Sequence, residues 1–212
     1  MQSTMVRLKE ATVIGAALFL TPRTSWAKPA PLVYPPTSMY STPDGRWTSF
    51  DLRIGQPAQQ VGLLVSTASQ YLMATLGDGC TIWNASNPCP NDLGQVFRRN
   101  QSKTSQNEGS YDTGSFEKNL VGDDILAFIS DNVSLGADVT ISMPTLKSQL
   151  VALFQPGTFA PNGSYFGLLG LSPAPVSLGN GVQYPTLFAT LKSQGIIPSL
   201  TWSYTAGAYY SE

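Results

Sequence analysis

The tetrad Asp112-Thr113-Gly114-Ser115 sets a carboxylate beside hydroxyls and a glycine, residue types with which a protein can activate water against an amide. Such a carboxylate works at the end of a buried strand, where low dielectric raises its proton affinity and neighbours fix its geometry. Here Gln106-Asn107-Glu108-Gly109-Ser110 lies just upstream, and Glu117-Lys118-Asn119 follows beyond Phe116. That context predicts a solvated turn. Ser66-Thr67-Ala68-Ser69 has the opposite setting. The apolar run Val61 to Val65 leads straight into it, yet its first residue is a hydroxyl and not an acid.

Other chemistries are closed off by what the chain lacks. It has no histidine and two cysteines, which excludes a Ser-His-Asp triad, a Cys-His pair, a histidine-ligated metal and a four-cysteine zinc site. No cofactor and no metal are expected. Asp123-Asp124 reads as an acidic turn between strands. Lys192 and Ser193 are adjacent, so helical spacing puts them on different faces and they form no dyad. With 12% charged residues and a net charge of −1, there is no basic field for nucleic acid or for a membrane surface. Tyr165, Phe166, Trp202, Tyr204, Tyr209 and Tyr210 read as core or sheet-face residues; a carbohydrate-binding β domain is the alternative they leave open.

The elements that must hold these residues are mostly strands. Nineteen Gly and sixteen Pro are spread without a period among short runs of Val, Ile, Thr, Ser, Tyr and Phe, which predicts an all-β domain with many turns. Residues 46–55, RWTSFDLRIG, alternate from Trp47 to Ile54, and Gly55-Gln56-Pro57 turns the chain. Residues 59–74 supply a near-continuous apolar run suited to a buried strand pair. Residues 123–136 and 138–146 predict two further strands joined by a turn, and 164–173 a short buried run. One helix is expected over 184–197, with Pro185 near its start, Leu187, Phe188 and Leu191 on one face and Gly195 as its stop. Residues 199–212 read as the beginning of a strand.

At the front, Arg7 and Lys9 precede an apolar run from Ala11 to Leu20, and Ser25-Trp26-Ala27 offers a small-x-small cleavage site. Residues 1–27 are therefore expected to be a secretory signal. A membrane anchor would need about 20 apolar residues, roughly twice this run. Residues 28–45 are Pro- and Ser-rich and read as an extended leader. Asn84, Asn100, Asn132 and Asn162 head Asn-x-Ser sequons in polar, turn-like surroundings, as on surface loops of a secreted glycoprotein. In an oxidising compartment, Cys80 and Cys89 are expected to close a small disulfide loop.

Together these residues resemble the N-terminal lobe of a pepsin-like aspartic peptidase over roughly residues 45–212, in the fungal secreted style. The series Ile54-Gly55-Gln56-Pro57-Ala58-Gln59, then Val61 to Val65, then Ser66-Thr67-Ala68-Ser69 matches the family's Gly-x-Pro turn, apolar strand and catalytic loop. Phe97 to Ser102, Leu168-Leu169-Gly170 and the helix ending in Gln194-Gly195 continue the match. The resemblance places Ser66, with Thr67 and Ala68, where the family carries catalytic Asp-Thr-Gly, and places Tyr111-Asp112-Thr113-Gly114 at the flap hairpin.

The resemblance implies a six-plus-stranded β-barrel-like sandwich with one or two short helices over residues 46–212, the C-terminal lobe being absent. It also implies acid endopeptidase activity, which the departures at Ser66 and Ala68 remove. The mechanism needs two carboxylates sharing a proton around one water, and a serine cannot take that proton. A pseudopeptidase is expected, with a peptide or protein ligand in the cleft or a missing second lobe as partner, and self-association through the exposed lobe interface. A homodimeric half-size peptidase using Asp112 is the alternative that keeps the chain an enzyme.

Overall fold

The computed structural model describes residues 30–42, 45–77, 95–113, 125–136, 143–154 and 166–205. Alternation in the sequence becomes a barrel wall. In β2 (Gly45–Ile54), Leu52 and Ile54 are buried inward, and the neighbouring strand β3 (Gln59–Ser66) contributes Val61 and Leu63 to the same interior. β4 (Leu72–Thr75), β6 (Ile125–Leu135), β7 (Thr145–Phe154) and β8 (Gly167–Gly170) complete the wall. The order β2-β3-β8-β4-β7-β6 closes on itself because Leu52, Arg53 and Ile54 also pair with Leu135, Ser134 and Val133. β1 (Ser38–Thr42) and β5 (Gln106–Asp112) flank this six-strand cycle, pairing with β2 and β6. Among the described residues they are the end strands of the sheet.

Both faces of part of the wall are covered, which explains the unbroken apolar run at the end of β7. Val151 and Leu153 face the barrel interior with Leu146, Ile129 and Leu169, whereas Leu150, Ala152 and Phe154 join an outer cluster with Met73, Phe128 and Leu168. A small hairpin, β9 (Val176–Ser177) with β10 (Gln183–Tyr184), covers that outer cluster through Val176, Leu178 and Tyr184. Each fully buried side chain of this size stabilises the fold by about 1.5–3 kcal/mol.

The helix falls where the periodicity put it. α1 spans Leu187–Ser193; the Thr186 hydroxyl accepts the Ala189 N–H at 3.3 Å as its N-cap, and Leu187 and Leu191 are buried. Besides it, the described residues hold a single 3-10 turn, Arg99–Gln101.

Two expectations need correction, and a third falls largely outside the described residues. Of the strand expected over 138–146, residues 138–142 lie outside the described residues; β7 begins at Thr145 and runs to Phe154. The stretch expected to start a strand at Ser199 is irregular as far as Thr205, with Leu200, Trp202 and Tyr204 exposed. The leader expected over 28–45 is tied to the barrel: β1 pairs with β2 from Ser38↔Ser49 to Thr42↔Gly45, and the Tyr34 ring lies 5.4 Å from that of Phe50. The Tyr34 hydroxyl donates to the Asp51 carbonyl. No helix among the described residues is long and apolar enough to cross a membrane.

Candidate functional site

Ser66 ends β3, and its setting is made by β8. That strand runs parallel to β3 in the register Leu63↔Gly167 to Ser66↔Gly170, and antiparallel to β4 through Leu72↔Leu169 and Met73↔Leu168. β3 and β4 are consecutive in the chain yet separated in the sheet, so residues 67–71 must cross the end of β8. Three backbone bonds hold that crossing: Leu171 N–H to the Ser66 carbonyl at 2.9 Å, Gly170 N–H to Tyr71 at 3.0 Å and Ser172 N–H to Ser69 at 3.0 Å. The Ser69 hydroxyl accepts the Tyr71 N–H at 3.0 Å from inside the loop.

Glycine is obligatory at the crossing for steric reasons. A Cβ on Gly170 would lie 2.6 Å from the carbonyl oxygens of both Ser69 and Tyr71, and one on Gly167 would lie 2.0 Å from that of Met73. The loop is thus packed backbone on backbone. Ser66 and Ser69 are buried within it, whereas Thr67 and Ala68 are exposed at its tip. From Ser66 to Met73 the chain offers only hydroxyls, an amide and a phenol as polar side chains. Burial pushes the Tyr71 phenol above its ordinary value, with a hydrogen bond to Gln70 opposing the shift, so Tyr71 stays a neutral donor in the acid range. A hydroxyl nucleophile needs a base beside it, and this segment holds none.

Tyr111 and Asp112 lie at the end of β5, opposite Leu126 and Ile125 of β6; Thr113 follows, and Gly114 lies outside the described residues. Tyr111 reaches toward the Ser66 loop through other rings. It meets Phe128 edge-on at 6.1 Å, and Phe128 lies 5.8 Å from Tyr71. Asp112 is exposed on an end strand of the sheet rather than at the end of a buried one. The structure therefore brings the Ser66 loop and Tyr111 into one aromatic cluster.

The other sequence candidates are dispersed. Asn100 is exposed in the 3-10 turn, as a turn-like sequon should be. Asn132 is not in a turn: it is half-buried within β6, where the register slips between Asp131 and Val133, and its carbonyl accepts the Gly55 N–H at 2.8 Å. Asn84, Asn162, Cys80, Cys89, Asp123-Asp124, Tyr165, Tyr209, Tyr210 and the signal at 1–27 lie outside the described residues. Ser193 donates to the Thr190 carbonyl at 2.9 Å. Phe166 is buried, while Trp202 is exposed and Tyr204 meets Phe50 edge-on at 6.2 Å. Among the described residues no three His, Cys, Asp or Glu side chains gather as metal ligands would.

Two features went unread in the sequence. A groove of about 480 Å³ lies between the start of β3 and the 3-10 turn, lined by Gln59, Gln60, Gln95, Val96, Arg98 and Gln101. Glu108, Asn180 and Tyr184 form a polar chain beside Tyr111. A glycine inside a strand pattern, Gly109, was the available signal for the irregularity that creates this chain.

No family model matches the chain, and no curated protein matches it.

Proposed function

We propose that this chain is the N-terminal lobe of a pepsin-like peptidase fold, exported from the cell, in which Ser66 stands at the catalytic carboxylate position and which binds extended peptide segments without cleaving them. The observation that carries this reading is the passage of Leu168-Leu169-Gly170 between β3 and β4, in register with Ser66. A loop pinned by backbone bonds to a buried glycine strand holds its residues rigidly, which a water-activating carboxylate would need. Ser66 offers a hydroxyl at that point.

A carboxylate pair cleaves by sharing one proton, one member drawing a proton from water while the other polarises the amide carbonyl. Ser66 is neutral throughout the acid range and cannot draw the proton from water. What remains is recognition: an exposed Thr67-Ala68 tip, a half-buried Tyr111 and the hydrogen-bonding edge of β5. An extended peptide can pair with such an edge and seat alternate side chains. The opposite wall of the cleft would come from a second lobe or a second copy of the chain.

The test is to incubate the purified chain with denatured casein at acid pH, measuring both retention and new chain termini. Retention without cleavage is expected. Cleavage abolished by Asp112→Asn would establish the Asp112 peptidase instead, and absence of retention would remove the binding role.

A further inference from the structure

Glu108 sits at a slip in the β5–β6 register: Asn107 faces Ile129 and Gly109 faces Phe128, so Glu108 is the extra residue. An extra residue of this kind re-aims its side chain. The Glu108 carboxylate accepts the Ser130 hydroxyl on one oxygen at 2.6 Å and the Tyr184 hydroxyl on the other at 3.1 Å. Tyr184 belongs to β10, so the second bond ties β5 to the hairpin covering the outer cluster.

Asn180, in the turn of that hairpin, extends the tie. Its Oδ1 accepts the Val182 N–H at 2.9 Å, which orients the carboxamide, and its Nδ2 lies 3.4 Å from the hydroxyls of both Tyr184 and Tyr111. The Tyr111 ring itself lies over Gly109, where φ is +107° and a Cβ would come within 3.1 Å of the ring. Tyr111 is therefore confined from three sides, by Gly109 beneath, Phe128 at its edge and Asn180 at its hydroxyl.

We propose that Glu108 and Tyr184 are positioning residues that lock Tyr111 in place, making the β9–β10 hairpin a structural partner of strand β5. The lock is a property of the folded chain; its consequence for ligands rests on the peptide-binding reading above. Tyr111 lies on the strand that the ligand would pair with. Fixing its ring in advance removes part of the ordering cost of binding.

Tyr184→Phe removes the bridging hydroxyl while keeping the ring on the outer cluster, and Ser130→Ala removes the other donor to Glu108. In the full chain with ring-labelled tyrosine, Tyr184→Phe is expected to shift or broaden the Tyr111 resonance. It should also speed amide exchange in residues 106–112 by about five-fold, as loss of one net hydrogen bond does. Ser130→Ala should act in the same direction. Ser134→Ala, which breaks the Ser134–Thr145 hydroxyl contact elsewhere on β6, should leave Tyr111 unmoved. An unchanged Tyr111 resonance and unchanged exchange in both Tyr184→Phe and Ser130→Ala would overturn the proposal. A Tyr111 response in a chain that retains no casein would leave the lock standing and remove the peptide-binding reading instead.

Discussion

Replacing Gly170 by alanine tests the crossing that holds Ser66. The added methyl would lie 2.6 Å from two carbonyl oxygens, whereas ordinary contact begins at 3.4 Å, so the loop must retreat by nearly an ångström. Both oxygens belong to backbone, which cannot rotate away. Both are also acceptors of the bonds from Gly170 and Ser172, and the Leu171–Ser66 bond lies between them. Weakening three bonds of about 1 kcal/mol each, a loss of roughly 2 kcal/mol in all, together with overpacking strain of about 1–3 kcal/mol, gives about 3–5 kcal/mol. That is a large share of the roughly 5–15 kcal/mol that holds a typical domain. In urea, with a slope of about 2 kcal/mol per molar, the unfolding midpoint should fall by about 2 M. Gly179→Ala is the control. Its Cβ meets nothing within 4 Å, but φ is +76°, so it carries only left-handed backbone strain of about 1 kcal/mol. If Gly170→Ala costs no more than Gly179→Ala, the backbone-on-backbone account of the loop is wrong.

Burial pushes the Tyr34 phenol well above its ordinary value of 10.0, opposed by the Gly136 N–H and reinforced by the charge of Asp51. The unfolded chain then loses this proton first, so stability is full below pH 10 and falls as pH rises beyond it, by about 1.4 kcal/mol per pH unit. Urea midpoints at pH 8 and pH 11 should diverge in the native chain and diverge less in Tyr34→Phe. Leu200, Trp202 and Tyr204 are 40%, 43% and 46% exposed near the end of the described chain, and such a patch favours self-association. Sedimentation should show dimers or larger species that dissociate in Trp202→Ser with Leu200→Ser; a monomer at every concentration would refute this.

Legibility in the sequence followed the range of the interactions. β2, β3 and α1 were readable because alternation, a continuous apolar run and a capped amphipathic turn are local patterns. The part of β7 beyond Leu146 was missed because Lys147-Ser148-Gln149 interrupts its pattern and Ser148 takes φ 53°. The separation of β3 from β4 had no local signal: β8 enters between them from about a hundred residues downstream. The sequence reading put Leu168-Leu169-Gly170 in the same series as Ser66 without placing that strand beside it. Asn132 looked turn-like because its neighbours are polar, yet Asp131 is buried and accepts the Thr104 hydroxyl at 2.5 Å inside the sheet. Glu108 was overlooked because a one-residue slip in register reverses which side of a strand a residue serves.

The most direct measurement is the fate of denatured casein held with the purified chain at acid pH, read by mass spectrometry of the retained material. Retained casein segments with no new termini are expected, and the same result for Ser66→Asp with Ala68→Gly as a monomer, since one carboxylate has no partner with which to share a proton. New termini produced by the native chain, and lost in Asp112→Asn or Ser66→Ala, would contradict it.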